Sequence, residues 1–366
     1  MSDNNCVAPL LKQRLRLSAY AWSIIDQDRM SFSHDGIALS RAGILNHIFV
    51  NFYERAEASI PLRTEARCRE LEIILADLTK QTRETVIFKM TSSYKAEIMD
   101  KVISLLKQGS SDMAWNMTIQ KDVGDLLDNL NKRGFFSYNN SAELSRGKYM
   151  GAVFEQYASL PYVEREKVFF AGTYSDLEDA IEFKRAINII YTQAKTPFYV
   201  IPHFIEPDKL SMYNYLIGFA RRIESPDEPL SIHSFRLSKI HAVEIDRHSK
   251  PGHGDLSDKQ QAQQRMRIKK SREKLGTMFI SDEDNIVQIE VRLTPKGKQK
   301  YIEQVHMRPA GHIKPGSENE YIFTCSRRQA EYYFYKFGKD AEVLCPADIR
   351  EKFLEQYREA MRLYEV

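Results

Sequence analysis

YVIPHFIEPDKLSMYNYLIGFARR, residues 199–222, and SIHSFRLSKIHAVEI, residues 231–245, decide how this chain folds. Apolar and polar residues alternate from Tyr213 to Ala220 and again from Ser231 to Leu237, with β-branched and aromatic residues frequent and Pro and Asp between the runs. That pattern predicts strand, turn, strand. The content of the strands sets them apart, because Tyr199, His203, Tyr213, Tyr215, Arg221, Arg222, His233, Arg236 and Lys239 put aromatic faces and cations together. Such a surface suits a flexible anionic ligand.

At 366 residues the chain is long for one domain, and ordinary domain sizes predict about three units. A hydrophobic fraction of 43% and a charged fraction of 28% are those of a folded globular protein with material for cores. No apolar run approaches a bilayer span, and MSDNNCVAPLLKQRLRL lacks the order of a secretory signal, so a cytoplasmic location is expected. Cys6, Cys68, Cys325 and Cys345 form no CxxC pair, which predicts reduced, mostly buried thiols rather than a zinc site or disulfide framework. The net charge of +3 says little about a polyanionic partner. Its distribution says more, since RMRIKKSREK at 265–274 gathers Arg265, Arg267, Lys269, Lys270 and Arg272 around a single Glu273. The run reads either as a nucleic-acid patch or as a solvated helix face.

Leu11, Leu15, Ala19 and Trp22 stand at helical spacing and predict a helix over residues 10–25. In DRMSFS, residues 28–33, Met30 and Phe32 alternate with Arg29, Ser31 and Ser33, which reads as a short one-sided strand. Ser40 can cap a helix to about Glu57 with Ile44, Ile48 and Phe52 on one stripe, and Pro61 opens another to about Thr79. A short strand before two helices resembles the ribbon-helix-helix module, in which strands of two chains pair. On that resemblance Arg29, Ser31 and Ser33 would face nucleic acid. The alternative is a helical bundle whose strand packs on its own chain. Helical periodicity then runs from Val86 to Leu130, through Ile98, Val102 and Leu105, a break at Gly109–Ser111, and Val123, Leu126, Leu127 and Leu130. Asn139 and Asn140 mark the end of the N-terminal region.

After a helix expected to be capped by Ser175 and a strand over Ile187–Tyr191, the linked segments carry a family likeness. LPYVEREKVFF (160–170), AIEFKRAINIIY (180–191), PFYVIPHF (197–204), YNYLIGFARR (213–222) and FRLSKIHAVEI (235–245) resemble, in order and spacing, the WYL domain family, a small Sm-like or SH3-like β-barrel. The likeness covers residues 155–248. One departure is that Asn214-Tyr215-Leu216 stands where the family has Trp-Tyr-Leu, which removes a large packing or stacking group. The remainder resembles the extension that accompanies many WYL domains and often helps make dimers. It reads as strands over Asn285–Leu293, Tyr321–Thr324 and Ala341–Leu344, a helix from Ser326 to Tyr335 stopped at Gly338, and a last helix from Pro346 with Ile349, Phe353, Tyr357, Met361 and Tyr364 on one side. The expected fold class is α+β multidomain. It comprises a ribbon-helix-helix-like module (1–80), a helical linker region (81–154), a WYL barrel (155–248) and an α+β dimerisation extension (249–366).

Little in the sequence suggests catalysis. His248, His253 and Asp255 could be imagined as metal ligands, but SKPGHGD reads as loop, and Asp282-Glu283-Asp284 reads as a solvated turn. No phosphate-binding glycine loop, GxSxG or HExxH occurs, so neither an enzyme nor a metal or other cofactor is expected. Tyr213, Tyr215 and Phe219 share one strand face, which reads as core, the usual fate of an aromatic stripe at period two, above all for Tyr215 and Phe219. Arg236 shares a face with Ile232 and Ser234, where a guanidinium needs an anion, a carboxylate or a ring. The layout as a whole resembles the WYL-domain accessory proteins of type VI-D CRISPR systems. That resemblance implies a homodimer that binds single-stranded RNA and stimulates an RNA-guided CRISPR ribonuclease, with no membrane partner. The alternative is a transcriptional regulator that binds DNA through its N-terminal module and senses an anionic or nucleic-acid ligand in the barrel.

Overall fold

The computed structural model describes residues 12–33, 39–108, 114–133, 145–191, 196–208, 212–245 and 257–364. Cys6, the break at 109–111, Asn139, Asn140, His248, His253 and Asp255 lie outside these residues. The chain forms two compact units, Met1–Ala171 and Gly172–Val366.

In the first unit, β1 (Lys12–Arg16) pairs antiparallel with β2 (Ala114–Thr118), Lys12 opposite Thr118 and Arg16 opposite Ala114. The helix expected from residue 10 is therefore a strand as far as Arg16. KQRLR alternates, with Lys12, Arg14 and Arg16 exposed and Leu15 buried, and a spacing of four fits a two-residue period as well as a helical one. Ser18 then opens α1 (Ala19–Phe32), its hydroxyl accepting from the Ala21 N–H at 3.1 Å.

The strand expected over residues 28–33 is the C-terminal end of α1. Ala21, Ile25, Asp28 and Phe32 are buried at helical spacing, whereas Met30, which a strand would place beside Phe32, is 60% exposed. Arg29 pairs with Asp26 at 2.8 Å and donates to the Leu39 carbonyl. The Ser33 hydroxyl donates to the Arg29 carbonyl and accepts from the Leu39 N–H. Both side chains tie the end of α1 to the start of the next helix, and Ser31 is exposed on the helix surface.

Ser40 caps α2 (Arg41–Phe52), and Ile44, Ile48 and Phe52 form the buried stripe the sequence predicts. α3 (Ile60–Ile74), α4 (Lys80–Gln108), α5 (Lys121–Lys132), α6 (Arg146–Ser159) and α7 (Tyr162–Phe169) follow. α6 is central, packing on β1, α1, α2 and α4. Gly147 and Gly151 lie one turn apart on it, and a Cβ added to them would sit 2.7 and 3.3 Å from the carbonyl oxygens of Arg14 and Arg16. Glycine here lets the helix close over an edge of β1. These contacts bind residues 12–18 to 114–118 and 145–159, across the division expected at 80/81. They also include segments read as part of the barrel: Tyr157, Phe169 and Phe170 are buried in this unit, with Phe169 4.7 Å from Phe32 between ring centroids.

The second unit opens with α8 (Ala171–Glu182), in which Ser175 lies inside the helix rather than capping it. β3 (Ile187–Tyr191), β4 (Phe198–Pro207), β5 (Asn214–Arg222), β6 (Ser231–Arg236) and β7 (Ile240–Ile245) make an antiparallel sheet in the order β6-β5-β4-β3-β7. Among the described residues β6 and β7 do not pair, so the sheet is not a closed barrel. α9 (Asp258–Leu275) starts at a capping box of Ser257 and Gln260.

A four-stranded sheet follows, in the order β11-β8-β10-β9, from β8 (Ile286–Leu293), β9 (Gly311–Ile313), β10 (Glu320–Ser326) and β11 (Ala341–Cys345). Ile289, Val291 and Leu293 point inward with Phe323 and Val343. On the other face Arg292 pairs with Glu320 at 2.9 Å and Glu342 at 2.8 Å. α10 (Pro295–Glu303), α11 (Arg327–Phe334, capped by Ser326) and α12 (Ala347–Arg362) accompany the sheet. Gly338 takes φ +56°, a conformation that favours glycine, beyond α11. The stripe predicted for the last helix holds at Ile349 and Phe353, which are buried, while Met361 and Tyr364 are 61% and 89% exposed. Cys325 is buried, Cys68 half-buried and Cys345 exposed, all as free thiols.

Candidate nucleic-acid interface

Cross-strand register places Tyr199, Ile201, Phe219, Arg221, Tyr215 and Arg236 on one face of the five-stranded sheet. That face is not open to a ligand. α9 lies over it, with Ile268 joining Ile201, Tyr215, Ile217, Phe219 and Ile232 in one buried cluster. The aromatic stripe is thus largely core, as burial of that much ring surface favours.

Several residues of the basic run hold the helix in place. Arg272 forms an ion pair with Glu206 of β4, and Arg267 one with Glu283, which also accepts from the Ser271 hydroxyl. The acidic run read as a solvated turn therefore supplies structural partners, since Asp282 in turn accepts from Arg328 at 3.0 Å. His203 is the extra residue of a bulge between Pro202 and Phe204 and is buried against α9, with Nε2 2.9 Å from Gln264 Oε1.

Burial holds His203 below the usual histidine range, and the nearby Arg265 adds to this. Burial does the same to His233, on the opposite face, where the ring stacks on Phe235 at 5.7 Å between centroids. Both folded-state values lie below the unfolded one near 6.5, so between the two the unfolded chain binds more protons. Stability is complete above about 6.5 and falls as pH drops through that window. Denaturant midpoints of the second unit should accordingly be lower at roughly pH 5.5 than at roughly pH 7.5, and His203→Gln should reduce the difference. A pH-independent midpoint would contradict this assignment.

The sequence leaves open which partner Arg236 takes, and the structure answers with a ring: its guanidinium carbon is 3.4 Å from the Tyr213 centroid. Arg221 lies 5.5 Å from the Tyr199 ring and donates to the Pro226 carbonyl, while Arg222 is exposed at the end of β5. Lys239 is half-buried in the single turn that joins β6 to β7. Of the basic run, Arg265 is exposed 5.9 Å from Phe204, and Lys269 and Lys270 share the outer stripe of α9 with Ala262, Met266, Glu273 and Lys274. The inner cations of the run are therefore structural, and the outer ones form an exposed cationic ridge. Sequence reasoning missed Glu206 and Gln264, because partners separated by 66 and 61 residues leave no local signal. Among the described residues no group of three His, Cys, Asp or Glu side chains could hold a metal ion. No described helix is long and apolar enough to cross a membrane.

No family model and no curated protein matches the chain. A solved structure described as a CRISPR Cas-related protein is similar over 100% of this chain and 97% of its own, with 22% identity and a TM-score of 0.69. This chain has that fold. A second structure, proteasome accessory factor B/C of Arthrobacter aurescens, aligns over 99% of this chain and 51% of its own at 11% identity and a TM-score of 0.28, a level that carries no structural argument.

Proposed function

We propose that this chain is a non-catalytic accessory protein of a CRISPR system that binds single-stranded RNA and stimulates an RNA-guided CRISPR ribonuclease, acting as a cytoplasmic homodimer. The observation that carries the reading is the end-to-end likeness of fold to a protein described as CRISPR Cas-related. The exposed cations of the α9 ridge support it with chemistry that attracts phosphates. The reading takes the five-stranded sheet as a WYL-type Sm-like barrel left open between β6 and β7. Four strands run as spatial neighbours, β7 returns beside β3, and one turn joins the two edge strands. The test is RNA cleavage by a type VI-D ribonuclease with and without the protein. Faster cleavage that is lost in Lys269→Glu/Lys270→Glu is the expected result, and an unchanged rate at saturating protein would remove the proposal.

A further inference from the structure

The inner face of the β1–β2 ribbon is closed at one end and open at the other. Gln13 stands opposite Met117 and Leu15 opposite Trp115, so these four residues share the face turned toward α1 and α2. At the Met117 end the packing is tight. Met117 is buried, and Asn46 of α2 donates to the Thr118 carbonyl at 3.0 Å and accepts from the Gln120 N–H at 2.9 Å. At the Trp115 end a space of about 360 Å³ remains, bounded by Leu15, Leu17 and Leu45 together with Trp22, Trp115 and Arg41. Interiors leave few voids larger than one water, and this one has the size of a small-molecule pocket. Water is a poor occupant, since an enclosed water needs several polar partners and these walls are chiefly leucine and indole surface.

The walls favour a flat ring with an anionic end. Trp22 and Trp115 are the only two tryptophans of the chain, and both are half-buried here. Their rings meet edge to face, with 4.9 Å between centroids and 78° between planes, and the Arg41 guanidinium lies 5.5 Å from each. A planar group entering the space can therefore lie on one indole and turn its edge to the other. Arg41 is the first residue of α2, and its side chain is 53% exposed. Asp26 lies 3.7 Å from its Nε, but that carboxylate is held closer by Arg29, at 2.8 Å, whose hydrogen bond keeps it below the usual carboxylate range. A guanidinium carries more N–H donors than one loose ion pair can use, so Arg41 can still take an anion, and ionised Asp26 sets an acceptor beside it. A nucleotide matches all three features, with its base, its phosphate, and its hydroxyl or amine donors.

We infer that this pocket binds a nucleotide unit, its base against the Trp22 and Trp115 rings and its phosphate on Arg41. A free mononucleotide and one residue of a single strand present the same chemistry to it. The site lies in the first unit, shares no residue with the α9 ridge and does not depend on the RNA reading above.

The tryptophans make the test direct, since the intrinsic emission of the full chain reports on this pocket alone. Titration with AMP should quench it saturably, adenosine should bind about tenfold more weakly for want of the phosphate, and inorganic phosphate should leave the emission unchanged. Arg41→Gln, at an exposed position, should weaken AMP about tenfold and leave adenosine where it was, a split that general damage to the fold does not produce. Lys269→Glu/Lys270→Glu should alter none of these values. A short oligoadenylate distinguishes the two sources: affinity about tenfold or more above that of AMP assigns the pocket to a strand, and affinity no higher assigns it to the free nucleotide. Emission that responds to neither AMP nor the oligonucleotide at millimolar concentration would overturn the site and leave the proposed function standing. Quenching by AMP without any stimulation of the ribonuclease would do the reverse. An equal response to benzoate would also overturn the site, by assigning the pocket to aromatic acids at large.

Discussion

Replacing Asp28 with Ala should destabilise the first unit by about 3–5 kcal/mol, the cost of leaving one half of a buried ion pair alone. Asp28 is 1% exposed and accepts from Arg165 Nε at 2.7 Å, from Arg165 Nη2 at 3.3 Å and from the Tyr157 hydroxyl at 2.9 Å. Arg165 also donates to the Leu160 carbonyl at 2.6 Å, so its planar fork is fixed by two elements at once. Burial, followed by the neighbouring Asp28 charge, pushes the Tyr157 hydroxyl well above the ordinary tyrosine range, so it stays a donor. Without the carboxylate, a guanidinium and a hydroxyl are stranded inside the packing of α1, α6 and α7. Because both tryptophans lie in this unit, urea unfolding followed by their emission should show the midpoint fall by about 1–2 M. A shift within error of zero would mean that water reaches Arg165. Arg165→Met with Asp28→Leu should recover much of the loss, as replacing both partners of a buried pair often does.

Phe323→Ala should cost the second unit about 3–5 kcal/mol, the usual range for truncating a fully buried aromatic. Phe323 is inaccessible to solvent at the centre of the four-stranded sheet, with ring centroids 4.8 Å from Phe334 and 5.4 Å from Tyr301. Its ring also covers Gly311 on the paired strand, where a Cβ would collide with it. Removing it opens a cavity walled by Phe334 and Tyr301, which lie on separate elements and cannot close on it together. Circular dichroism should detect the lower midpoint. Phe323→Leu should lose distinctly less, and an Ala variant as stable as the parent would show that the sheet can collapse onto the gap.

Asp28 also shows where the sequence stops being legible. Its segment reads as a strand because Met30 and Phe32 alternate with polar residues, while the helical set Ala21, Ile25, Asp28 and Phe32 is masked by a carboxylate at a core position. The partner that makes burial tolerable, Arg165, is 137 residues away. β2 escaped for a related reason: Ala114–Thr118 is five residues long, and only pairing with β1 makes it a strand. The C-terminal sheet was legible because Val287, Ile289, Val291 and Leu293 alternate within one continuous strand, and Ser326 and Gly338 punctuate the helix that follows. At the candidate interface the cations of α9 were visible, but their division was not. Which of them face Glu206 and Glu283 depends on how the helix lies on the sheet.

The central claim is that this chain binds single-stranded nucleic acid. Filter binding of the purified protein to single-stranded RNA, single-stranded DNA and duplex DNA across a salt series tests it most directly. Single-stranded RNA should bind tightest, with an affinity that falls linearly on a log–log plot as salt rises. Duplex DNA binding as tightly as the single strand, or no binding even at low salt, would contradict the account.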